Sequence, residues 1–351
     1  MVPSLTAGGD SRECADAPVV GAQRVGTAHS GRMEYVPDLL TLARDLREAG
    51  EPSWPYQRAA DRGRLLRIHH GVYAPSKAWG ELTETSRYMY RVIGAVAQSR
   101  TTQVVSHISA AVLWGAPVVG PMPQLVHVLC SVAAGTRTEH GMRKHATPRP
   151  DLHLERRGEL VMSGVARMAV EVASDCAFTT AVGVIDWVLG SRRATRDELL
   201  ACLDELEIRR GRTRAERAIR FADGAAGSAG ESLSRVRMHE SGVPAPVLQQ
   251  RFEDADGFIG FVDFWWPEFD LIGEFDGVSK YVREEFRGGR SIADVVVAEK
   301  RREDRLRAAG PRVIRWGWDT AWEPHRLALH LHRSAGLPWR PKRARSHSPG
   351  A

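Results

Sequence analysis

The sequence predicts an α+β chain of more than one domain, and three observations carry that expectation. Its 351 residues correspond to two or three domains at roughly 100–200 residues each. Hydrophobic residues make up 43% and charged residues 26% of the chain, near globular averages, which excludes a wholly disordered or fibrous protein. Helical stripes and strand-like alternation both recur, in three successive blocks between two polar ends.

The charge balance is 49 basic against 43 acidic side chains, a formal surplus of +6. That modest excess suits a nucleic-acid partner without requiring one. Cys14, Cys130, Cys176 and Cys202 are widely separated with no CxxC pair, so neither a zinc ribbon nor a disulfide scaffold is expected. The first twenty residues lack a basic segment followed by an apolar one, and no run of ~18 apolar residues exists. A cytoplasmic, reducing location with no membrane partner is the expectation.

Residues 1–32 are rich in Gly, Ala, Ser and Thr without periodicity and read as a disordered leader. In the block 33–80, Val36, Leu39, Leu40, Leu42, Ala43 and Leu46 form a helical stripe that stops at Gly50. A proline-containing turn leads to a second helix from Tyr56 to Arg62, and the segment 64–73 alternates like a short hairpin. Helix, turn, basic helix and two-stranded wing is the layout of a winged helix-turn-helix. Arg58, Arg62, Arg64 and Arg67 supply its cationic, DNA-facing side.

The block 81–222 mixes both element types. Helices are expected at 103–114, 165–174, 179–189 and 195–206, and a strand at 124–131. His107 and His127 are candidate ligands, but isolated histidines on apolar elements usually belong to the core, and no chemistry is assigned to this block. The small-residue stretch 224–230 resembles a phosphate loop only in its glycines, because no Lys-Ser/Thr pair follows it. The tail, 335–351, reads as a basic disordered segment.

The block 226–334 carries the chemistry. Aromatic and β-branched residues flank Pro267-Glu268-Phe269-Asp270, which reads as the loop of a hairpin. Pairing Trp266 with Leu271 then places Asp263 opposite Glu274, with Asp276 on the same face two residues on. Opposed like charges destabilise a sheet. Mg²⁺ (or Mn²⁺) bound by Asp263, Glu274 and Asp276 would offset the repulsion; an open acidic face or a shared proton are the two other solutions. Glu231, on a preceding helix, is either a further metal ligand or the acidic partner of a capping box with Ser228. Lys280 is positioned to stabilise transition-state charge or orient the attacking water, or else is simply solvated. Lys300, Arg301 and Arg302, on a charged helix at 298–309, either face a phosphodiester backbone or form surface salt bridges.

This order of elements, with Asp263 on one strand and Glu274-Phe-Asp276-Gly ending the next, resembles the PD-(D/E)xK nucleases of the very short patch repair endonuclease-like type. The resemblance implies a restriction-endonuclease-like α/β/α domain. In it Asp263, Glu274 and Glu231 would hold Mg²⁺, with Lys280 standing in for the motif's lysine, whose place is taken by Asp276. Residues 39–75, through Arg62-Gly-Arg-Leu-Leu-Arg and Gly71-Val-Tyr73, resemble the winged helix of the AbiEi family of antitoxins. That likeness implies DNA as partner, including the operator of a cognate toxin gene. Two functions are therefore expected to compete: a Mg²⁺-dependent endonuclease, and a non-catalytic regulator with a degenerate nuclease fold. Positive charge alone does not separate DNA from RNA.

Overall fold

Residues 39–277 and 292–339 are described in the computed structural model. The expected leader, Val36, Lys280 and the end of the basic tail lie outside them. The chain is mixed α/β with three sheets among the described residues, and it divides into two compact units, Met1–Thr101 and Thr102–Ala351. No helix among the described residues is long and apolar enough to cross a membrane.

In the first unit, β1 (Thr41–Leu42) leads directly into α1 (Ala43–Glu48), followed by α2 (Trp54–Asp61). The strands β2 (Leu65–His69) and β3 (Val72–Pro75) then turn over at Gly71, whose φ of +71° explains why glycine sits there. β1 pairs with β3, Leu42 opposite Val72, giving the antiparallel order β1-β3-β2. The helical stripe expected from Val36 to Leu46 is thus interrupted. Leu42 is recruited to the sheet, and the helix begins one residue later. Two helices follow, α3 (Ser76–Glu81) and α4 (Glu84–Gln98), the latter capped by Thr83, whose hydroxyl accepts from the Ser86 N–H at 3.1 Å. A Cβ on Gly94 of α4 would lie 2.8 Å from Val72, so glycine lets this helix approach β3 closely.

The second unit opens with β4 (Val104–Val105) and α5 (His107–Trp114). A helix over all of 103–114 is expected from the apolar pattern, but Val104 and Val105 are β-branched and slot between two other strands instead. β5 (Val126–Ser131), β6 (Arg137–Glu139), β7 (Met142–Thr147), β8 (Leu154–Arg157) and β9 (Leu160–Ser163) complete a six-stranded mixed sheet of order β6-β7-β5-β4-β9-β8. α5 packs on β5 and β9, and α6 (Val165–Asp175) packs on α5 and gathers α7 (Phe178–Gly190), α8 (Arg196–Glu205) and α9 (Arg212–Phe221) around itself. Thr195 and Glu198 close a reciprocal capping box at the start of α8.

From α10 (Ala229–Ser241) the chain enters a four-stranded sheet, β10 (Val247–Asp254), β11 (Gly257–Trp266), β12 (Leu271–Phe275) and β13 (Arg312–Trp316). The first three pair antiparallel and β13 joins β12 in parallel. The crossover between β12 and β13 includes α11 (Ile292–Ala308), and the described chain closes with α12 (Trp318–Ala321) and α13 (Pro324–Ala335). One face of the sheet is dry: Phe264, Trp266, Leu271, Phe275 and Trp316 join Leu233 of α10 and Leu327 and Leu331 of α13, together with Val119 from the preceding block. The two blocks are also joined by an ion pair, where Arg235 of α10 donates to both oxygens of Asp186 on α7 at 2.9 Å. Asp186 is 1% exposed.

Gly230, in the first turn of α10, sets the distance between that helix and β12, because a Cβ there would collide with the Phe275 ring. In an ordinary helix position alanine is favoured over glycine by about 1 kcal/mol. Here the sign reverses: Gly230→Ala is expected to destabilise the protein by about 1–3 kcal/mol through overpacking. Equilibrium unfolding in urea checks this, and a neutral or stabilising result would show that Phe275 is free to move.

Candidate metal and nucleic-acid site

The hairpin turn is built as its composition predicts. Pro267–Phe269 form a single 3-10 turn, and Asp270 takes the left-handed conformation at φ +46° and ψ +52°. Trp266 pairs with Leu271, Trp265 with Ile272 and Phe264 with Gly273. The ladder stops there, and Asp263 and Glu274, one step further along their strands, are buried at 7% and 8% exposure. Instead of a regular ladder pair, the Asp263 Oδ2 accepts the Phe275 N–H at 2.9 Å.

Glu231 reaches the same place from α10 and is 3% exposed. Only half of the anticipated capping box forms: the Ser228 hydroxyl accepts from the Glu231 N–H at 3.2 Å. The Glu231 carboxylate goes elsewhere, its Oε2 accepting from the Gly227 N–H at 2.8 Å and from the Gln249 Nε2 at 2.9 Å. The same Gln249 nitrogen lies 3.3 Å from the Asp263 Oδ1. One amide group on β10 therefore ties the helix-borne acid to the strand-borne one. Gln249 itself adopts a φ of +47°, a conformation that costs a non-glycine residue energy.

Burial raises the pKa of Glu231, and the neighbouring Asp263 charge raises it further; the bonds from Gly227, Ser228 and Gln249 only partly oppose this. Burial likewise raises Glu274, with Arg302 pulling it back and Asp263 adding to the rise. Arg302, on α11, is the counter-charge. Its Nη2 donates to the Glu274 Oε1 at 3.0 Å and to the Phe261 carbonyl at 2.6 Å, while its Nη1 reaches the Glu299 carboxylate at 3.2 Å.

All the donors here are oxygens, and two carboxylates on neighbouring strands are what Mg²⁺ commonly takes alongside water. Asp263 and Glu274 thus suit such an ion chemically. Their charges, however, are already partly answered, Asp263 by Gln249 and a backbone N–H and Glu274 by Arg302. Glu231, Asp263 and Glu274 do not bring their oxygens within 4.8 Å of one another as a set of three. Asp276 is half-buried beyond the end of β12, and its N–H donates to the Trp316 carbonyl at 2.8 Å. Lys280 lies outside the described residues.

The cationic residues divide into two classes. On α11, Arg302 is committed to Glu274, Arg305 to Asp254 at 2.9 Å and Arg307 to Glu303 at 2.7 Å, whereas Lys300 and Arg301 are exposed. In the first unit Arg58, Arg62, Arg64 and Arg67 are all exposed along the end of α2 and the strand after it. Arg58 lies over the Trp54 ring at 4.7 Å. The sequence assigns no part to Gln249, and it leaves Arg302 between a phosphate contact and a salt bridge of the helix surface. An arginine three residues after Glu299 on a charged helix carries no local signal that its partner is a carboxylate on another element.

No family model matches the chain. It is similar to two proteins of Mycobacterium tuberculosis, "Uncharacterized protein MT2308" of strain CDC 1551 / Oshkosh and "Uncharacterized protein Rv2248" of strain ATCC 25618 / H37Rv. Each is 30% identical over 286 residues, which cover 78% of this chain and 94% of the relative.

The raised pKa of Glu231 has a definite consequence for stability. The folded state holds this proton more tightly than the unfolded chain, whose glutamate titrates near 4.5. Its contribution is therefore full below pH 4.5 and is lost as pH rises through the folded value. Glu231→Gln keeps an acceptor for the Gly227 N–H but removes the charge. The variant is expected to match or trail the wild type near pH 4.5 and to gain on it steadily toward neutrality, as measured by urea unfolding across that range. A difference that shrank with rising pH would contradict the burial-driven shift.

Proposed function

The chain belongs to the family of these two mycobacterial proteins, and we propose that it is a cytoplasmic DNA-binding protein with a Mg²⁺-dependent endonuclease-like site. The first unit acts in this reading as a winged helix-turn-helix, with α2 and the β2–β3 wing presenting Arg58, Arg62, Arg64 and Arg67 to the duplex. The four-stranded sheet with α10 and α11 acts as the restriction-endonuclease-like domain. The observation that carries the reading is the burial of three acids in succession, Glu231 bridged to Asp263 by Gln249 and Asp263 beside Glu274, because carboxylates perturbed by burial and by one another cluster at functional sites.

Asp263 and Glu274 would hold the metal, with Asp276 and Glu231 as further oxygen donors. Bound there, Mg²⁺ or Mn²⁺ supplies a lowered pKa for an attached water and neutralises charge on the scissile phosphate. The protein's own part is positional. The Phe275 N–H fixes the orientation of Asp263, Gln249 holds Glu231 and Asp263 at a set spacing, and Arg302 restrains Glu274. Lys280 would assist electrostatically, and Lys300 and Arg301 would meet the backbone of the nucleic acid.

One observation favours a second reading. Arg302 already compensates Glu274, and Asp276 occupies the place of the motif's lysine, an arrangement that suits a nuclease fold retained for binding alone. In that case the protein is a non-catalytic, AbiEi-like regulator acting on DNA such as the operator of a toxin gene.

Nicking of supercoiled plasmid by the purified chain, with and without Mg²⁺ or Mn²⁺, separates the two. The endonuclease reading expects metal-dependent cutting that Asp263→Ala abolishes while DNA affinity is kept. Retained DNA binding with no cutting under any metal condition would leave the regulator. For the first unit, Arg62→Ala and Arg67→Ala are each expected to weaken binding across sequences and to reduce the slope of log affinity against log salt by about one. An unchanged slope in both would remove these arginines from the phosphate interface.

A further inference from the structure

The six-stranded sheet gathers three histidines that are distant in sequence. His127 lies on β5, His145 on the parallel neighbour β7, and His107 opens α5. The rings of His107 and His145 stack with centroids 3.7 Å apart and planes inclined by 20°. The Nε2 of His145 lies 3.0 Å from the Nδ1 of His127. Asp175, at the end of α6, completes the group: one ring nitrogen each from His107 and His145 and one Asp175 oxygen lie within 4.8 Å of one another. A cavity of about 710 Å³ is lined by all three residues.

From this geometry we propose that His107, His145 and Asp175 bind a first-row divalent transition-metal ion of the Zn²⁺ type, with a further coordination position facing the cavity. Two imidazoles and one carboxylate form a donor set of the kind that selects such ions over Mg²⁺, which the all-oxygen group at Asp263 and Glu274 would favour. The outer contacts are those a ligating histidine requires. The Nδ1 of His107 is engaged by the Ser106 hydroxyl at 2.9 Å, and the Nε2 of His145 by His127. This leaves the Nε2 of His107 and the Nδ1 of His145 without another hydrogen bond among the described residues. His107 also holds a left-handed backbone at φ +51°, kept in place by its N–H donating to the Glu171 carboxylate at 3.0 Å.

Burial pushes His107 well below the usual imidazole range, His127 down to about 4 and His145 to about 2, with neighbouring imidazoles and arginines contributing to the fall. Loading needs two local moves. One ring must turn out of the stack so that the in-plane lone pairs converge, and Arg143, 3.4 Å from Asp175, must release its carboxylate toward solvent. Arg143 is 41% exposed, so it has somewhere to go.

Calorimetric titration of the full chain with ZnCl₂, together with metal analysis after desalting, tests the site. About one ion per chain is expected. With Mg²⁺ present in excess to occupy any all-oxygen site, uptake should be lost in His145→Ala and Asp175→Asn and weakened about 10–100-fold in His127→Ala. Zn²⁺ uptake that survives both His145→Ala and Asp175→Asn in folded protein, or no saturable uptake by the wild type, overturns the proposal. Should those variants fail to fold, the Co²⁺-loaded wild type decides: nitrogen-ligand absorption bands displaced by Zn²⁺ support the site, and the spectrum of aqueous Co²⁺ overturns it.

Discussion

The contact between Arg302 and Glu274 is the interaction on which the rear of this protein depends. Three carboxylates, Glu231, Asp263 and Glu274, are buried where α10 and α11 meet the four-stranded sheet. Removing one partner of a buried ion pair costs about 3–5 kcal/mol, because the remaining charge is left uncompensated. Among the described residues Arg302 supplies the guanidinium bonded to Glu274, and through its second bond to the Phe261 carbonyl it also fastens α11 across β11. Charge compensation and the docking of the crossover helix are the same event.

Around that pair the site is assembled from polar restraints whose geometry is fixed elsewhere. Gln249 stands between Leu248 and Gln250, whose pairing with β11 brackets it, and spans two acids. Asp263 is aimed by a backbone N–H of the neighbouring strand. Glu231 is placed by a helix whose approach is set by Gly230 against Phe275. Each restraint comes from a different element, so the separation of the acids is a property of the fold and not of any one loop.

What was legible in the sequence follows from the range of the forces involved. The hairpin at Pro267–Asp270 and its pairing of Trp266 with Leu271 could be read directly, because turn chemistry and the two-residue period are local. The capping hydroxyl of Ser228 is local too. The strand at Thr41–Leu42 was not visible, since a helical stripe and a two-residue strand are distinguished only by the presence of β3 as partner. Val104–Val105 escaped for the same reason. Arg302 was visible as a cation but not as a ligand of Glu274, a contact spanning 28 residues. His127 and His145 become neighbours only once β5 and β7 are known to pair in parallel, so their cluster has no signature along the chain.

The parallel pairing of β12 with β13 has a consequence for how the chain reaches its native state. Antiparallel β11 and β12 close through a short turn and can form early, bringing Asp263 and Glu274 together before anything neutralises them. The compensating Arg302 arrives only when the crossover closes, a loop running from Phe275 to Arg312 whose entropy must be met first. The hairpin is thus self-repelling until its topology is complete. Salt screens like charges that stand in water but hardly reaches a buried pair. The charge balance of this hairpin is therefore a property of the closed crossover and not of the hairpin alone.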